Sequence, residues 1–353
     1  MEVEEKHFRV KFIKRRWLKK IIFIFVLFFF IFPMVAFFSF FFLVQPPENF
    51  PTNQVFEIKK GQSVNEIANF LEKQEIINSA LLFKLFNYYQ KNFININTNI
   101  KSSHYSFHTP LDTLKVFFKL EKGESGIDDI GVVIPEGWAN FQIAKKMSET
   151  FKKISEDKFL KLAKEYEGYL YPSKYYFSEY EVSEEIIIEK MLDTFKKKNK
   201  EIKAEVDKSD SSWEKIIIMA SIIEKEANSN YEIKRKVSGV LWKRISINMP
   251  LQVDVFVDYI LKEHTPRKTF EHLKIDSPYN TYLHKGLTPT PMSNPSRDSI
   301  KAAFWPEETE YLYYLTGKDG NFYFSKTYKQ HLIYKDKYIS KYISPKKIEN
   351  VVK

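Results

Sequence analysis

"KIIIMASIIEKEAN", Lys215 to Asn228, is the stretch on which the reading of this chain turns. Apolar residues fill it almost without a break until Glu224. A helix that is apolar around most of its circumference belongs inside a domain, so the run predicts a buried helix over 212–227. Glu224 and Glu226 then arrive two positions apart at its end. Each helical residue turns about 100°, so these two side chains point about 200° away from each other. They cannot flank one bond as an acid/base pair. Glu226 shares a stripe with Met219, Ile222 and Ile223, and Glu224 shares one with Ile217, Ala220 and Ser221. The pattern leaves two readings open. Both carboxylates lie in a solvated last turn around Lys225, or one is held against the apolar body, where its pKa rises toward that of a general acid.

The flanking sequence supplies a domain for this helix. Helices are expected over 183–198 and 230–247, the second with Ile233, Val237, Val240, Leu241 and Ile245 at helical spacing. Before them, "GVVIPEGWANFQIAKKM" (131–147) reads as strand, turn and helix, and "EGYLYPSKYYF" (167–177) as an aromatic strand or irregular segment. Residues 250–295 are rich in Pro, Asn, Asp, Tyr and Thr and show little periodicity. Long irregular stretches inside a domain usually carry function. "DSIKAAFWP" (298–306) is a short helix stopped by Pro306, and "YLYYLTGKDGNFYFS" (311–325) is a hairpin around Lys-Asp-Gly. The expected unit is a mixed α+β domain over 129–345, followed by a charged tail (346–353).

Upstream lies a smaller α+β module, 53–128. Val55 to Ile58 reads as a strand and Gly61 as a turn. "SVNE" (63–66) is a capping box, and Val64, Ile67, Ala68 and Leu71 follow it at helical spacing. A second helix fits 79–89, "HYSFH" (104–108) a strand, and "PLDTLKVFFKLEKG" (110–123) a third helix. "QPPENFPT" (45–52) is a proline-stiffened linker.

Ahead of the linker, "IIFIFVLFFFIFPMVAFFSFFFLV" (21–44) contains no charge. Its length as a helix, about 36 Å, exceeds the roughly 30 Å of a bilayer core, and membrane helices tolerate a proline such as Pro33. The run is longer than a signal-peptide core, and no small-residue cleavage site follows it. An uncleaved anchor is therefore expected. Residues 1–20 hold eight Lys or Arg against three Glu. By the positive-inside rule this basic tail stays in the cytoplasm, and the remainder lies outside the cytoplasmic (inner) membrane of a single-pass protein.

Composition removes several function classes. The chain has no cysteine, which excludes disulfides, thiol catalysis and thiolate metal sites. Its net charge is +10, half of it in the tail, and the rest is spread without a dense Lys/Arg block, so a nucleic-acid footprint is not expected. His104 and His108 stand four apart with no third ligand in view, so no metal or other cofactor is expected. The motifs of serine hydrolases, zincins and phosphate loops do not occur. "SPYNTYLHKGLTPTPMSNP" (277–295) is different, since Tyr279, Asn280, Thr281 and Tyr282 are groups that bind sugars by hydrogen bonding and ring stacking.

"MASIIEKEA", "MPLQVD" (249–254), "SPYNTYLHKGLTPTPMSNPS" and "YLYYLTGKDGNFYFSKTYKQH" (311–331) resemble, in order, the successive motifs of the MltG/YceG-like family of endolytic murein transglycosylases. "VVIPEGWANFQIA" and "EGYLYPSKYYF" resemble its earlier signatures, and the module at 53–128 its LysM-like region. "LYPSKYYF" departs from the family pattern by placing Ser173 where an acidic residue is usual, and His104 stands where Gly precedes the module's Tyr. The resemblance implies a peptidoglycan lytic transglycosylase cleaving the MurNAc–GlcNAc bond, with peptidoglycan glycan strands as substrate and peptidoglycan synthases as partners. It implies the general acid and then base at Glu226, the second glutamate of "IEKE", and a structural role for Glu224. Gln252, Asp254, Tyr279, Asn280 and Tyr282 are the expected substrate-binding residues. Two alternatives remain. One is a muramidase-type hydrolase pairing Glu226 with Asp254, since hydrolysis needs two flanking carboxylates. The other is a non-catalytic peptidoglycan-binding scaffold.

Overall fold

The computed structural model describes residues 17, 19, 20, 22–94, 99–227, 230–263, 265 and 268–339. The chain divides into two compact units, Met1–Asp128 and Asp129–Lys353. Most of the basic tail (1–20) and the expected C-terminal tail lie outside the described residues.

The first unit opens with helix α1, Ile22–Val44, which is long and apolar enough to cross a membrane. A π-helical turn occupies Leu27–Ile31 within it. The small module then runs β1 (Phe56–Ile58), α2 (Val64–Lys73), α3 (Ala80–Phe93), β2 (Ser103–Tyr105) and α4 (Thr113–Lys122). The two strands pair antiparallel, Phe56 opposite Tyr105. The capping box forms as expected: Ser63 accepts from the Glu66 amide, and Glu66 accepts from the Ser63 amide at 2.7 Å. Ser79 and Asp112 cap α3 and α4 through their side-chain oxygens, which accept from the Leu82 and Lys115 amides. Leu71, Phe83, Tyr105, Phe117 and Leu120 fill the core. The second strand ends at Tyr105 rather than His108, because the Ser106 amide leaves the ladder and donates to the Ser125 carbonyl at 2.8 Å.

The second unit contains β3 (Ile130–Val133), α5 (Asn140–Thr150), α6 (Glu156–Ala163), β4 (Lys174–Phe177), α7 (Glu184–Asp207), α8 (Trp213–Glu226) and α9 (Tyr231–Ser246). There follow α10 (Val255–Leu261), α11 (Arg297–Phe304), β5 (Tyr313–Thr316), β6 (Phe322–Ser325) and α12 (Tyr328–Tyr338). β3 pairs antiparallel with β4, and β5 with β6. The whole is mixed α+β, as expected.

Two cores share the long helix α7. Ile187, Ile188 and Met191 pack with β3, α5, α6 and β4, whereas Phe195, Ile202 and Val206 pack with α8, α9 and α11. The helix runs past the expected end at 198 because Asn199, Ile202 and Val206 prolong its buried stripe beneath a lysine-rich face. α8 is the centre of the second core. Ile216 to Ile223 are all buried, and the helix packs on α11 and touches α7, α9 and α10. Burial on every side explains the unbroken apolar run.

Three helices are absent from the sequence expectations, each for a readable reason. α10 lies inside the stretch expected to be irregular; it is seven residues long, and its buried Val255, Phe256 and Val257 are consecutive, so no helical period shows. α12 buries no residue and so carries no stripe. α6 buries only Phe159 and Ala163. One glycine is needed where it stands. Gly168 adopts φ +89°, and a Cβ there would come within 2.6 Å of Pro291.

Candidate active site

The C-terminal end of α8 presents the two glutamates to different surroundings. Glu224 points inward. Its carboxylate meets the Lys234 ammonium of α9 at 3.1 Å, and both side chains are almost fully buried. It also accepts from the Ser296 amide (2.8 Å), the Ser296 hydroxyl (2.5 Å) and the Ser299 hydroxyl (2.6 Å) at the start of α11. Burial works against its charge, but Lys234 and the serines outweigh it and hold this carboxyl below the usual range. Such a group stays ionised and fixed. It ties α8 to α9 and α11.

Glu226, the last residue of α8, lies on the other side and keeps part of its surface open. The Tyr314 hydroxyl, from β5, donates to its Oε2 at 2.8 Å. Burial pushes the carboxyl up to about 7, and the Asp254 charge adds to this, while the Tyr314 hydrogen bond and the Arg244 guanidinium pull it back. A carboxyl of this kind is shared between acid and base forms near neutral pH, as a group that both gives and takes a proton requires. Tyr314 itself is held well above its ordinary range, by burial first and then by the Glu226 charge, so it remains a donor.

The surrounding residues come from three further segments. Arg244, on α9, is buried and donates through Nε to the Leu312 carbonyl at 2.7 Å and through Nη1 to the Leu251 carbonyl, while its guanidinium lies 5.4 Å from the Tyr313 ring centre. It thereby fastens the 250–254 segment to the β5–β6 hairpin beside Glu226. Asp254, just before α10, accepts from the Tyr282 hydroxyl at 2.6 Å. Burial, with Asp254 as hydrogen-bond acceptor, raises the Tyr282 phenol, so it too stays protonated. Gln252 is exposed and adopts φ +51°, a left-handed conformation that non-glycine residues seldom hold.

The 277–296 loop is rigid because its polar groups are satisfied internally. Asn280, fully buried, donates to the carbonyls of Leu273 and Ile275 and accepts from the Tyr282 amide. Its expected place was in contact with sugar; here its amide has become the scaffold of the loop and presents no free surface. Thr281 clasps both the amide and the carbonyl of Val253 at 3.0 Å. Tyr279 is half-buried; its hydroxyl meets Thr290 at 2.7 Å, and its ring lies 5.0 Å from that of Tyr259. Further along, the Ser221 hydroxyl accepts from the Met292 amide, and Asn294 bonds to Trp138, Asn140 and Leu170. These contacts join the "PEGW" turn to the core helix.

Glu226, Asp254 and Tyr282 are thus brought together, with Gln252 on the same segment as Asp254. Tyr314, Arg244, Lys234, Ser296 and Ser299 were not anticipated. Tyr314 stands among six tyrosines and phenylalanines of one hairpin, and nothing in the alternation marks it. Arg244 and Lys234 had a faint signal, being cations beside the apolar stripe of α9.

With that geometry in place, comparison with known proteins is decisive. The YceG-like family model matches residues 56–337. The chain belongs to the YceG-like family. It is 33% identical over 325 residues to the endolytic murein transglycosylase of Bacillus subtilis (strain 168), covering 84% of this chain and 88% of that protein. It is 25% identical over 337 residues to the endolytic murein transglycosylase of Streptococcus pneumoniae (serotype 2, strain D39), covering 82% of this chain but 58% of that longer protein. The crystal structure of a yceG-like protein from Listeria monocytogenes matches at a TM-score of 0.54 and 33% identity, over 79% of this chain and 98% of that one. The order of motifs along this YceG-like chain and its mixed α+β architecture agree with those relationships.

Proposed function

We propose that this YceG-like chain is a membrane-anchored endolytic lytic transglycosylase of peptidoglycan, with Glu226 as its general acid and then its base. The observation that carries this reading is the state of Glu226: one carboxyl, at the edge of a buried core, raised to about 7 and steered by a tyrosine on one oxygen. Tyr314 occupies Oε2, which leaves Oε1 to carry the proton. In the first step that proton passes to the glycosidic oxygen as the bond from the muramic C1 breaks and positive charge develops on the ring. In the second, the Glu226 carboxylate takes the proton of the muramic C6 hydroxyl, and its oxygen closes on C1 to give the 1,6-anhydro ring. No water is consumed, and one carboxyl returns to its starting form. Gln252, Asp254, Tyr279 and Tyr282 are the groove residues in this reading, with Asp254 and the Tyr314 dipole facing the developing charge. The β-α-α-β order of the small module supports a LysM-like glycan contact there. α1 serves as the anchor, with the N-terminus in the cytoplasm, and a membrane-side position suits partnership with peptidoglycan synthases.

One observation favours hydrolysis as a second reading, namely that the Asp254 charge reaches Glu226. Asp254 would then place a water instead. Mass spectrometry of glycan strands digested by the purified protein separates the two: anhydro-muramic ends are expected, and reducing muramic ends would establish the hydrolase. Glu226→Gln is expected to lower cleavage by about 100- to 10,000-fold with folding intact. Undiminished cleavage by that variant would remove Glu226 from the chemistry.

A further inference from the structure

At the opposite end of α8 from Glu226, a cleft of about 410 Å³ opens between its first turn and the second half of α7. Its walls are Tyr169, Leu192, Phe195 and Trp213, three of them aromatic rings packed edge to face: Tyr169 on Phe195 at 5.1 Å and Phe195 on Trp213 at 6.2 Å. We propose that this cleft is the docking site for an acidic segment of a partner protein, anchored by a tryptophan whose indole N–H donates to Asn199.

Two independent observations select that chemistry. The first is Asn199, which lines the cleft and is only 1% exposed. Its Nδ2 donates to the Phe195 carbonyl at 3.1 Å, which fixes the orientation of the amide, and its Oδ1 has no hydrogen-bond partner. Buried acceptors are nearly always satisfied, so one facing an aromatic cleft calls for a donor from outside. The second is charge. Lys196, Lys200 and Lys203 follow one another along the rim on the same face of α7. Asp207, the acidic residue that lines the cleft, is paired with Lys203 at 2.5 Å, and the neighbouring Glu201 is engaged at 2.6 Å by Arg297, so Lys196 and Lys200 carry the charge of the rim. Lys203 lies 5.8 Å from the Trp213 ring centre, so the cationic rim and the aromatic wall are continuous.

An aromatic ring bearing an N–H, flanked by carboxylates, answers the aromatic wall, the Lys196 and Lys200 charges and the Asn199 acceptor at once. A phospholipid answers only two, since an acyl chain brings no donor to Asn199. α8 separates the cleft from Glu226 by about 20 Å, at 1.5 Å per residue. The occupant therefore reaches the helix that carries Glu226 without covering the carboxyl, and the inference does not depend on which glycan reaction Glu226 performs.

Fluorescence anisotropy with the full chain in detergent micelles tests this. The probes are a labelled heptapeptide of alternating Asp and Glu with a central Trp, and the same peptide with Phe in place of Trp. The Trp peptide is expected to bind wild type at least fivefold more tightly than the Phe peptide, and to weaken as salt is raised. Asn199→Leu is expected to abolish the difference between the peptides, and Lys196→Glu with Lys200→Glu to weaken both at least tenfold, glycan cleavage being unchanged in each. Equal binding of the two peptides to wild type would overturn the proposal, and that comparison needs no variant to fold. Binding to phosphatidylglycerol vesicles that exceeds peptide binding and ignores Asn199→Leu would overturn it in favour of a lipid surface.

Discussion

Glu224 and Glu226 are two residues of one kind, separated by one lysine, and their environments drive them to opposite protonation behaviour. For Glu224 the outcome is structural. Removing one partner of a buried ion pair strands the other, so Glu224→Ala is expected to destabilise the protein by about 3–5 kcal/mol, read from denaturant unfolding. Its folded pKa lies below 4.5, so its contribution is present above that value and fades as pH falls through the folded one. Glu226 answers to activity instead. It must begin protonated, so cleavage is expected to fall as pH rises through about 7. Tyr314→Phe removes a hydrogen bond that favours the charged form. The alkaline limb of the rate profile should therefore move to higher pH while the maximum rate drops, a combination that a purely structural loss would not produce. The sequence spacing had already shown that the two glutamates face apart. It had no means of showing which one meets a lysine and which a tyrosine.

At the scale of elements, one buried carboxyl joins the 167–177 segment to a helix. Glu167 accepts from the Asn140 amide at 3.0 Å, the first amide of α5, and burial pushes its carboxyl up to about 8. A folded value above the unfolded 4.5 means that stability is greatest below about 4.5 and declines as pH climbs toward 8. Glu167→Gln keeps an acceptor for the helix and removes the charge. Its melting temperature is expected to match wild type near pH 4.5 and to exceed it at pH 8, which thermal melts at the two values would check. Elements with a long apolar period or an explicit cap were legible in the sequence: α2 from its capping box, α8 and α9 from their stripes, and the β5–β6 hairpin from its turn. α10 and α12 were not, because a seven-residue helix with consecutive buried residues and a helix with no buried face carry no period to read. Nor was the scaffold role of Asn280, which depends on carbonyls five and seven residues away.

For the whole molecule, the absence of cysteine makes topology directly measurable. Single substitutions Lys6→Cys and Lys208→Cys, in intact cells treated with an impermeant maleimide, should label only at position 208. Labelling at 6 and protection at 208 would reverse the proposed orientation of the anchor. Of the two units, the first contains α1, and the second alone holds every residue of the candidate site. That site draws on the end of α8, the middle of α9, the 250–254 segment, the 277–296 loop and β5. Arg244 ties α9 to the 250–254 segment and to Leu312 beside β5, Thr281 ties that segment to the 277–296 loop, and Ser221 ties the loop to α8.

By itself the sequence determined the apolar helix long enough to cross a membrane, the mixed α+β class, the buried helix and the family pattern, since each depends on local composition, period or order along the chain. Only the tertiary structure decided the partners of the two glutamates. Lys234 lies 10 residues from Glu224, and Tyr314 lies 88 from Glu226. Long-range contacts of that kind leave no trace in local periodicity, yet they set the local dielectric and hydrogen bonding on which a carboxyl's proton affinity depends.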